Sequence, residues 1–479
     1  MVMGEFTEEA DVLIIGGGSG GYAAAFRASD LGKKVTLVDI EKRPGGVCLF
    51  SGCIPSKTYL YVSELIQETR QAKQMGVSFG EPEIDLAGLR KWKDKVVDKL
   101  ANGLVHLSEK RGVRLIQGKA VFEGSDRVRI LESESEISHV KFRHAVIATG
   151  SFAASLPNMT FSEKSRIMNS SAALALPDIP ETMLVIGGGY VGVEMGSVYA
   201  SLGSRVTMVE MADRIMSSAD ADMVDILMKK LNRLFENIHT GSRIENLEES
   251  ENKVKVTFAG NGNEGERSFD RVLVAIGRRP NTENLGLENT RVQTDEKGFI
   301  IVDETMRTGD DNIYAIGDAV GGMMLAHKAR YEGKVAVEVI AGEPSAYDVR
   351  AIPAVVYTDP QLAWCGLTQQ EAEAINRRVK ISRFPWKASG RAASMGLSDG
   401  MTKIIVDDET GRVLGMGIVG KEAGEMIAEG VLAVELGALA EDLALTVHPH
   451  PTLSEGEEEA AEAFLGSSTH ILPRKRRSK

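Results

Sequence analysis

Cys48 and Cys53, in the run GGVCLFSGCIPSK, are the residues of this 479-residue sequence whose types and spacing point most directly to chemistry. Three readings of the pair compete. A structural disulfide suits an oxidising compartment, and three cysteines in this length do not make a disulfide scaffold. A zinc site needs more ligands, and the remaining cysteine, Cys365, is remote and sits in no metal-binding spacing. Cys365 reads instead as a small buried hydrophobe. A redox-active dithiol fits best, because a helix is expected to begin near Pro55 and its positive dipole end stabilises a thiolate. An ideal helix separates positions i and i+5 by about 7.5 Å along its axis and points them to different sides. Disulfide Cα atoms must come within about 7 Å. The pair therefore needs a distorted turn, which Gly52 can supply.

The elements that would serve such a pair come from an internal repeat. Residues 11–39, DVLIIGGGSGGYAAAFRASDLGKKVTLVD, align without a gap with residues 182–210, TMLVIGGGYVGVEMGSVYASLGSRVTMVE. Each unit runs from an apolar strand through G-x-G-x-x-G into a helix, then a second strand closed by an acid. That is the grammar of a dinucleotide-binding unit, and its recurrence makes two nucleotide sites the better reading than two ligand-free turns. Gly16 and Gly187 allow the tight turn. Gly18 and Gly189 let the backbone approach a pyrophosphate, and Gly21 and Gly192 permit close helix packing. Asp39 and Glu210 are placed to accept hydrogen bonds from a ribose 2′-hydroxyl, and a carboxylate at Glu210 favours NAD over NADP. A dithiol exchanges electrons with substrate thiols but takes a hydride poorly. A flavin bridges that gap, so two nucleotide sites and one dithiol imply FAD, NAD and a disulfide in series.

Further strands feed turns at residues 144–150 (HAVIATG), 271–277 (RVLVAIG) and 312–318 (NIYAIGD). The last sets Asp318 just beyond an apolar strand, where ligands usually bind. From about residue 351 the texture becomes β-rich, with helical spacing over 422–436, and a separate C-terminal α+β domain is expected. Apolar residues make up 43% and charged residues 26%, which excludes a mainly disordered chain. The net charge of −12 argues against a dedicated nucleic-acid binder. No apolar run is long enough to span a bilayer, and no secretory signal is visible. A cytoplasmic, multidomain α/β protein is the expectation. The basic run at 473–479 (PRKRRSK) reads as a solvated tail.

With GGVCLFSGCIPSK, GGGYVGVEMGSVYASLGS, VAIGRRPNT, NIYAIGDAVGG, MLAHKA, VVYTDPQLAWCGLT and HPTLSE together, the sequence resembles the pyridine nucleotide–disulfide oxidoreductases, in particular the dihydrolipoamide dehydrogenases, from about residue 10 to about residue 472. The resemblance implies two Rossmann-like domains plus an α+β dimerisation domain: an FAD-binding domain at 1–151, an NAD-binding domain at 152–282, a central domain completing the FAD site at 283–350, and an interface domain at 351–472. It implies FAD along Gly16, Gly18, Ser19, Gly21, Asp39, Gly46, Lys57, Ala120, Gly150, Gly317, Asp318 and Ala326. It implies NAD along Gly187, Gly189, Gly192, Glu210, Ile244, Ala275, Gly277 and Arg278, with Lys57 paired to Glu194 beside the flavin.

The resemblance also gives roles to Cys48 (the interchange sulfur), Cys53 (the sulfur facing the flavin), His450 (the base) and Glu455 (its orienting carboxylate). Residue type alone leaves His448 and His450 open as surface residues of a proline-rich turn, and His448 matches no family role. In this family the His–Glu pair reaches the dithiol of the other subunit, so a homodimer is expected. The implied reaction oxidises dihydrolipoamide on a lipoyl-bearing acyltransferase or a glycine-cleavage carrier protein, with no metal, nucleic acid or membrane involved. A reductase of another disulfide or of mercuric ion, and a flavoprotein docking subunit, are the competing readings. Phe50 and Ser51 depart from the usual Asn and Val, Asp39 replaces a commoner Glu, and Met211 and Ser217 stand where NADP-using relatives carry arginines. The acidic run at 457–462 (EEEAAE) is expected to be a solvated helix face.

Overall fold

The computed structural model describes residues 6–472 apart from 134, 158, 160, 163, 164, 262 and 263, so the basic run at 473–479 lies outside the described residues. The run Val12, Leu13, Ile14 is wholly buried, as expected for a strand covered on both faces of a parallel sheet. Its strand, Phe6–Ile15, lies between Val35–Asp39 and Ile137–Ile147 and pairs in parallel with both. Arg114–Gln117 extends this sheet beyond Val35–Asp39. Arg127–Leu131 and Lys119–Gly124 continue it in antiparallel fashion on the other side. The carboxyl half of Ile137–Ile147 also pairs in parallel with Ile313–Ala315, a strand that arrives from much later in the chain.

The second repeat builds a second parallel sheet, in the order Asn237–His239, Arg205–Val209, Thr182–Ile186, Arg271–Val274, Ile167–Met168. The two units match in detail: Gly16 N–H donates to Val38 O and Gly187 N–H donates to Val209 O, both at 2.8 Å. A three-stranded antiparallel sheet over residues 243–269 covers one face of the second unit. The two crossings between the units run side by side, as Ser151–Ala153 pairs with Arg278–Pro280.

Residues from Ala354 onward form a five-stranded antiparallel sheet backed by helices Ala423–Leu436 and Glu455–Leu465. Cys365 sits in this core, where burial pushes its thiol up to about 12 and leaves it inert. Lys403, almost fully buried, ties the sheet to the second unit through Asp220 at 2.8 Å and Asp222 at 3.0 Å. Among the described residues no helix is long and apolar enough to cross a membrane.

Candidate active site

The chain between Cys48 and Cys53 is two helices, Gly46–Ser51 and Cys53–Gln71, broken at Gly52. Gly52 has φ −143° and ψ −120°, and a Cβ there would stand 2.7 Å from Val47 O. The distorted turn that the five-residue spacing demands is thus present. The helix begins two residues earlier than expected, so that Cys53 itself occupies its first position and Pro55 falls within the first turn, where a missing N–H costs nothing. Both sulfurs are free thiols in hydrogen-bond contact. The Cys48 bond lowers Cys53 most; burial opposes it and the Lys57 ammonium adds to it, leaving Cys53 below its ordinary value. Cys48, which donates that bond and is also desolvated, is pushed up. Thiolate character therefore resides on Cys53.

Lys57 lies one turn further along the same helix. Its Nζ donates to Glu194 Oε1 at 3.0 Å and Oε2 at 2.9 Å, and stands 4.6 Å from the centre of the Tyr357 ring. Glu194, almost fully buried on helix Tyr190–Leu202, also accepts from Tyr357 N–H at 2.9 Å. Burial would lower Lys57, but the charge and hydrogen bonds of Glu194 outweigh it and hold the ammonium above its ordinary value. Three parts of the chain converge on this pair.

Gly16, Gly18, Ser19, Asp39, Gly46, Lys57, Ala120, Gly150, Gly317, Asp318 and Ala326 line one cleft of about 690 Å³, together with Cys48, Cys53, Glu194 and Arg278. Gly21 is expected among them but lies behind: a Cβ there would meet Gly16 O at 1.8 Å, so it serves the packing of the turn. The cleft suits a dinucleotide. A Cβ on Gly18 would meet nothing within 4 Å, and one on Gly46 would stand 2.6 Å from Gly18 Cα. Glycine at 18 therefore leaves free space over the helix N-terminus, where a pyrophosphate would lie. Ser151, which the sequence did not single out, joins two lining residues: it accepts from Arg278 Nε at 2.6 Å and donates to Asp318. Its one signal was its place directly after Gly150.

The second glycine turn repeats the first. Gly187 has φ +108°, a Cβ on it would stand 2.3 Å from Ala275 O, and a Cβ on Gly192 would stand 2.0 Å from Gly187 O. Gly189 again leaves open space. Glu210 accepts from Gly188 N–H at 2.6 Å and Ala212 N–H at 2.7 Å, which fixes its carboxylate at the strand end. Ile244 packs on the cluster holding Ile186 and Val209. Of this second group only Glu194 and Arg278 reach the cleft. Gly187, Gly189, Gly192, Glu210, Ile244, Ala275 and Gly277 lie outside its lining.

His450 Nδ1 stands 2.7 Å from Glu455 Oε1, and Glu455 Oε2 accepts from Thr452 N–H at 2.8 Å. Partial burial pushes Glu455 up, but these bonds and the charge of His450 outweigh it, and the carboxyl stays below its ordinary value. The imidazole itself is 74% exposed and does not line the dithiol cleft, so one chain alone does not bring His450 to Cys48. The acidic run beside it is not the solvated face expected. Glu457 is fully buried and Glu459 nearly so, because Gly456, Ala460 and Ala461 are small enough to seat the helix on the sheet. A Cβ on Gly456 would already stand 2.8 Å from Thr402 Oγ1. Glu459 accepts from His470 and from Ser468 Oγ.

The family model described as pyridine nucleotide-disulphide oxidoreductase matches residues 10–333, and that family's dimerisation domain matches residues 352–461. The chain belongs to the pyridine nucleotide-disulphide oxidoreductase family. Among its relatives, the dihydrolipoyl dehydrogenase of Geobacillus stearothermophilus is 44% identical over 98% of this chain and 100% of its own. That of Buchnera aphidicola subsp. Schizaphis graminum is 42% identical over 97% of each. The fold is likewise similar to the HOCl-induced flavoprotein disulfide reductase RclA from Escherichia coli, with a TM-score of 0.83 and 26% identity over 94% of this chain and 99% of that one.

Proposed function

We propose that this chain is a dihydrolipoyl dehydrogenase, which oxidises protein-bound dihydrolipoamide to lipoamide and reduces NAD to NADH. The observation that carries the reading is the dithiol broken across Gly52 at a helix N-terminus, with Lys57–Glu194 beside it in a cleft shaped for a dinucleotide. Near-full-length relatives bearing that name support it. FAD would be held by Gly16, Gly18, Ser19, Asp39, Gly46, Ala120, Gly150, Gly317, Asp318 and Ala326, and NAD by Gly187, Gly189, Glu210, Ile244, Ala275, Gly277 and Arg278. The flavin, when bound, carries two electrons between the dithiol and the nicotinamide.

The rest is the work of side chains. His450, oriented by Glu455, takes a proton from one thiol of dihydrolipoamide. The thiolate so formed attacks the oxidised pair at Cys48, making a mixed disulfide and releasing Cys53 as a thiolate, which Lys57 and the helix N-terminus stabilise. The second substrate thiol, once deprotonated, displaces Cys48. Lipoamide leaves and the pair is left reduced by two electrons. Because His450 lies outside its own chain's cleft, we assign this base to the dithiol of a second copy of the chain. We divide the chain into an FAD part (1–151), an NAD part (152–282), a central part (283–350) and an interface part (351–472). The partner is a lipoyl-bearing acyltransferase or glycine-cleavage carrier, and the setting is the cytoplasm, where the thiols cycle.

The test is NADH formation by the purified flavoprotein given dihydrolipoamide and NAD, with NADP as control. Fast turnover with NAD alone is expected. No turnover from protein that retains FAD would overturn the assignment in favour of another disulfide substrate.

A further inference from the structure

His448, to which the proposed reaction gives no role, is the better anchored of the two histidines. Residues 446–454 link helices Ala440–Leu445 and Glu455–Leu465. Pro449 and Pro451 have no N–H to donate, and among the described residues 447–452 make no backbone-to-backbone hydrogen bond. Side chains must therefore hold His450 in place. Downstream, Thr452 does so through its bonds to Glu455 and to Pro449 O, the latter at 2.7 Å. Upstream the anchor is His448, whose side chain is only 4% exposed. Its Nε2 stands 2.9 Å from Glu429 Oε1 on helix Ala423–Leu436, and its Nδ1 stands 2.9 Å from Thr446 O, with Glu458 Oε2 at 3.4 Å. A carbonyl oxygen only accepts, so Nδ1 must donate, and Nε2 is left facing a carboxylate. Both ring nitrogens are thereby engaged, and the ring cannot turn without losing both partners.

We propose that His448 is a positioning residue: by tying the loop to Glu429 it fixes where the His450 imidazole stands, one rigid proline away. The inference rests on His450 being the base. A base displaced by about 1 Å loses on the order of a hundredfold in rate, so a loosened anchor should slow turnover without weakening substrate binding.

The experiment uses FAD-loaded dimer of H448A, H448Q, E429A and H450Q, matched for flavin content and size. It measures kcat and KM for dihydrolipoamide, and NADH-driven reduction of an artificial dye. For H448A we expect kcat to fall about tenfold or more, KM to stay within about twofold, and dye reduction to be unchanged, with partial recovery in H448Q. E429A should reproduce the kcat loss, and it carries the test if H448A fails to assemble. Wild-type kcat in H448A or E429A would overturn the positioning role, as would an equal loss of dye reduction, which would mark a general structural defect. Wild-type kcat in H450Q would instead overturn the base assignment itself.

Discussion

Replacing Glu457 with glutamine should stabilise this protein, and the gain should grow with pH. Glu457 is fully buried, and among the described residues neither carboxyl oxygen has a well-formed hydrogen bond. Burial, reinforced by the nearby charge of Glu429, pushes the carboxyl from its usual 4.5 up to about 9. At pH 7 the folded chain keeps a proton that the unfolded chain releases. A carboxyl raised in this way contributes fully to stability below about pH 4.5, and the contribution is lost progressively as pH rises toward about 9. Each pH unit in that window costs about 1.36 kcal/mol, so the loss at pH 7 is about 3 kcal/mol. Glutamine keeps the volume and the buried polar group but has no proton to lose, so the comparison isolates ionisation. Thermal unfolding of FAD-loaded wild type and Glu457→Gln from pH 5.5 to 8.5 reads the effect. The two Tm curves should draw closer toward the acid end and separate by several degrees by pH 8. Curves that run parallel would refute the reasoning, because the carboxyl would then be ionised in the folded state without penalty.

Cys48→Ser should abolish turnover of dihydrolipoamide while FAD stays bound, read by visible absorbance alongside the lipoamide assay; retained activity would remove Cys48 from the role of interchange sulfur. Glu455→Gln should lower kcat by about a hundredfold or more. The amide can satisfy Thr452 N–H only by turning its NH2 toward His450 Nδ1, which puts the ring hydrogen on Nε2 and disables the base. A loss under threefold in stopped-flow reduction by dihydrolipoamide would contradict that geometry. Glu210→Ala removes the acceptor for two backbone N–H groups and the charge proposed to face the ribose, so KM for NAD should rise about tenfold and the preference over NADP should shrink. An unchanged NAD to NADP ratio would take Glu210 out of cofactor selection.

What could be read directly from the chain was local. The two glycine turns declare themselves because their spacing repeats between an apolar strand and a helix, and the last glycine of each answers a contact five residues back, Gly21 at Gly16 O and Gly192 at Gly187 O. The break at Gly52 follows from five-residue spacing alone, since no helix lets such a pair meet. The Lys57–Glu194 pair spans 137 residues, and no periodicity reveals it; only the family resemblance placed it. Ser151 was missed for the same reason, since its partners come from two distant segments, the strand at Arg278 and the turn at Asp318. The acidic run was misread because counting charges ignores the small residues between them, which decide how deeply a helix can sit. His448 finds Glu429 on the preceding long helix, a pairing that appears only once the chain has folded back.

The strand Ile313–Ala315 pairs with Ala145–Ile147 across more than 160 residues of intervening chain, most of it the second sheet and its cover. During synthesis the first sheet must therefore wait with one edge unpaired while the whole second unit emerges and is free to fold. That waiting edge is a row of unsatisfied backbone groups, the kind of surface that recruits a stranger's strand. Asp318 and Ala326, which line the cleft, follow the late strand directly. The cofactor cleft is complete only when this edge is closed, so a nascent chain that binds flavin is one that has already escaped mispairing.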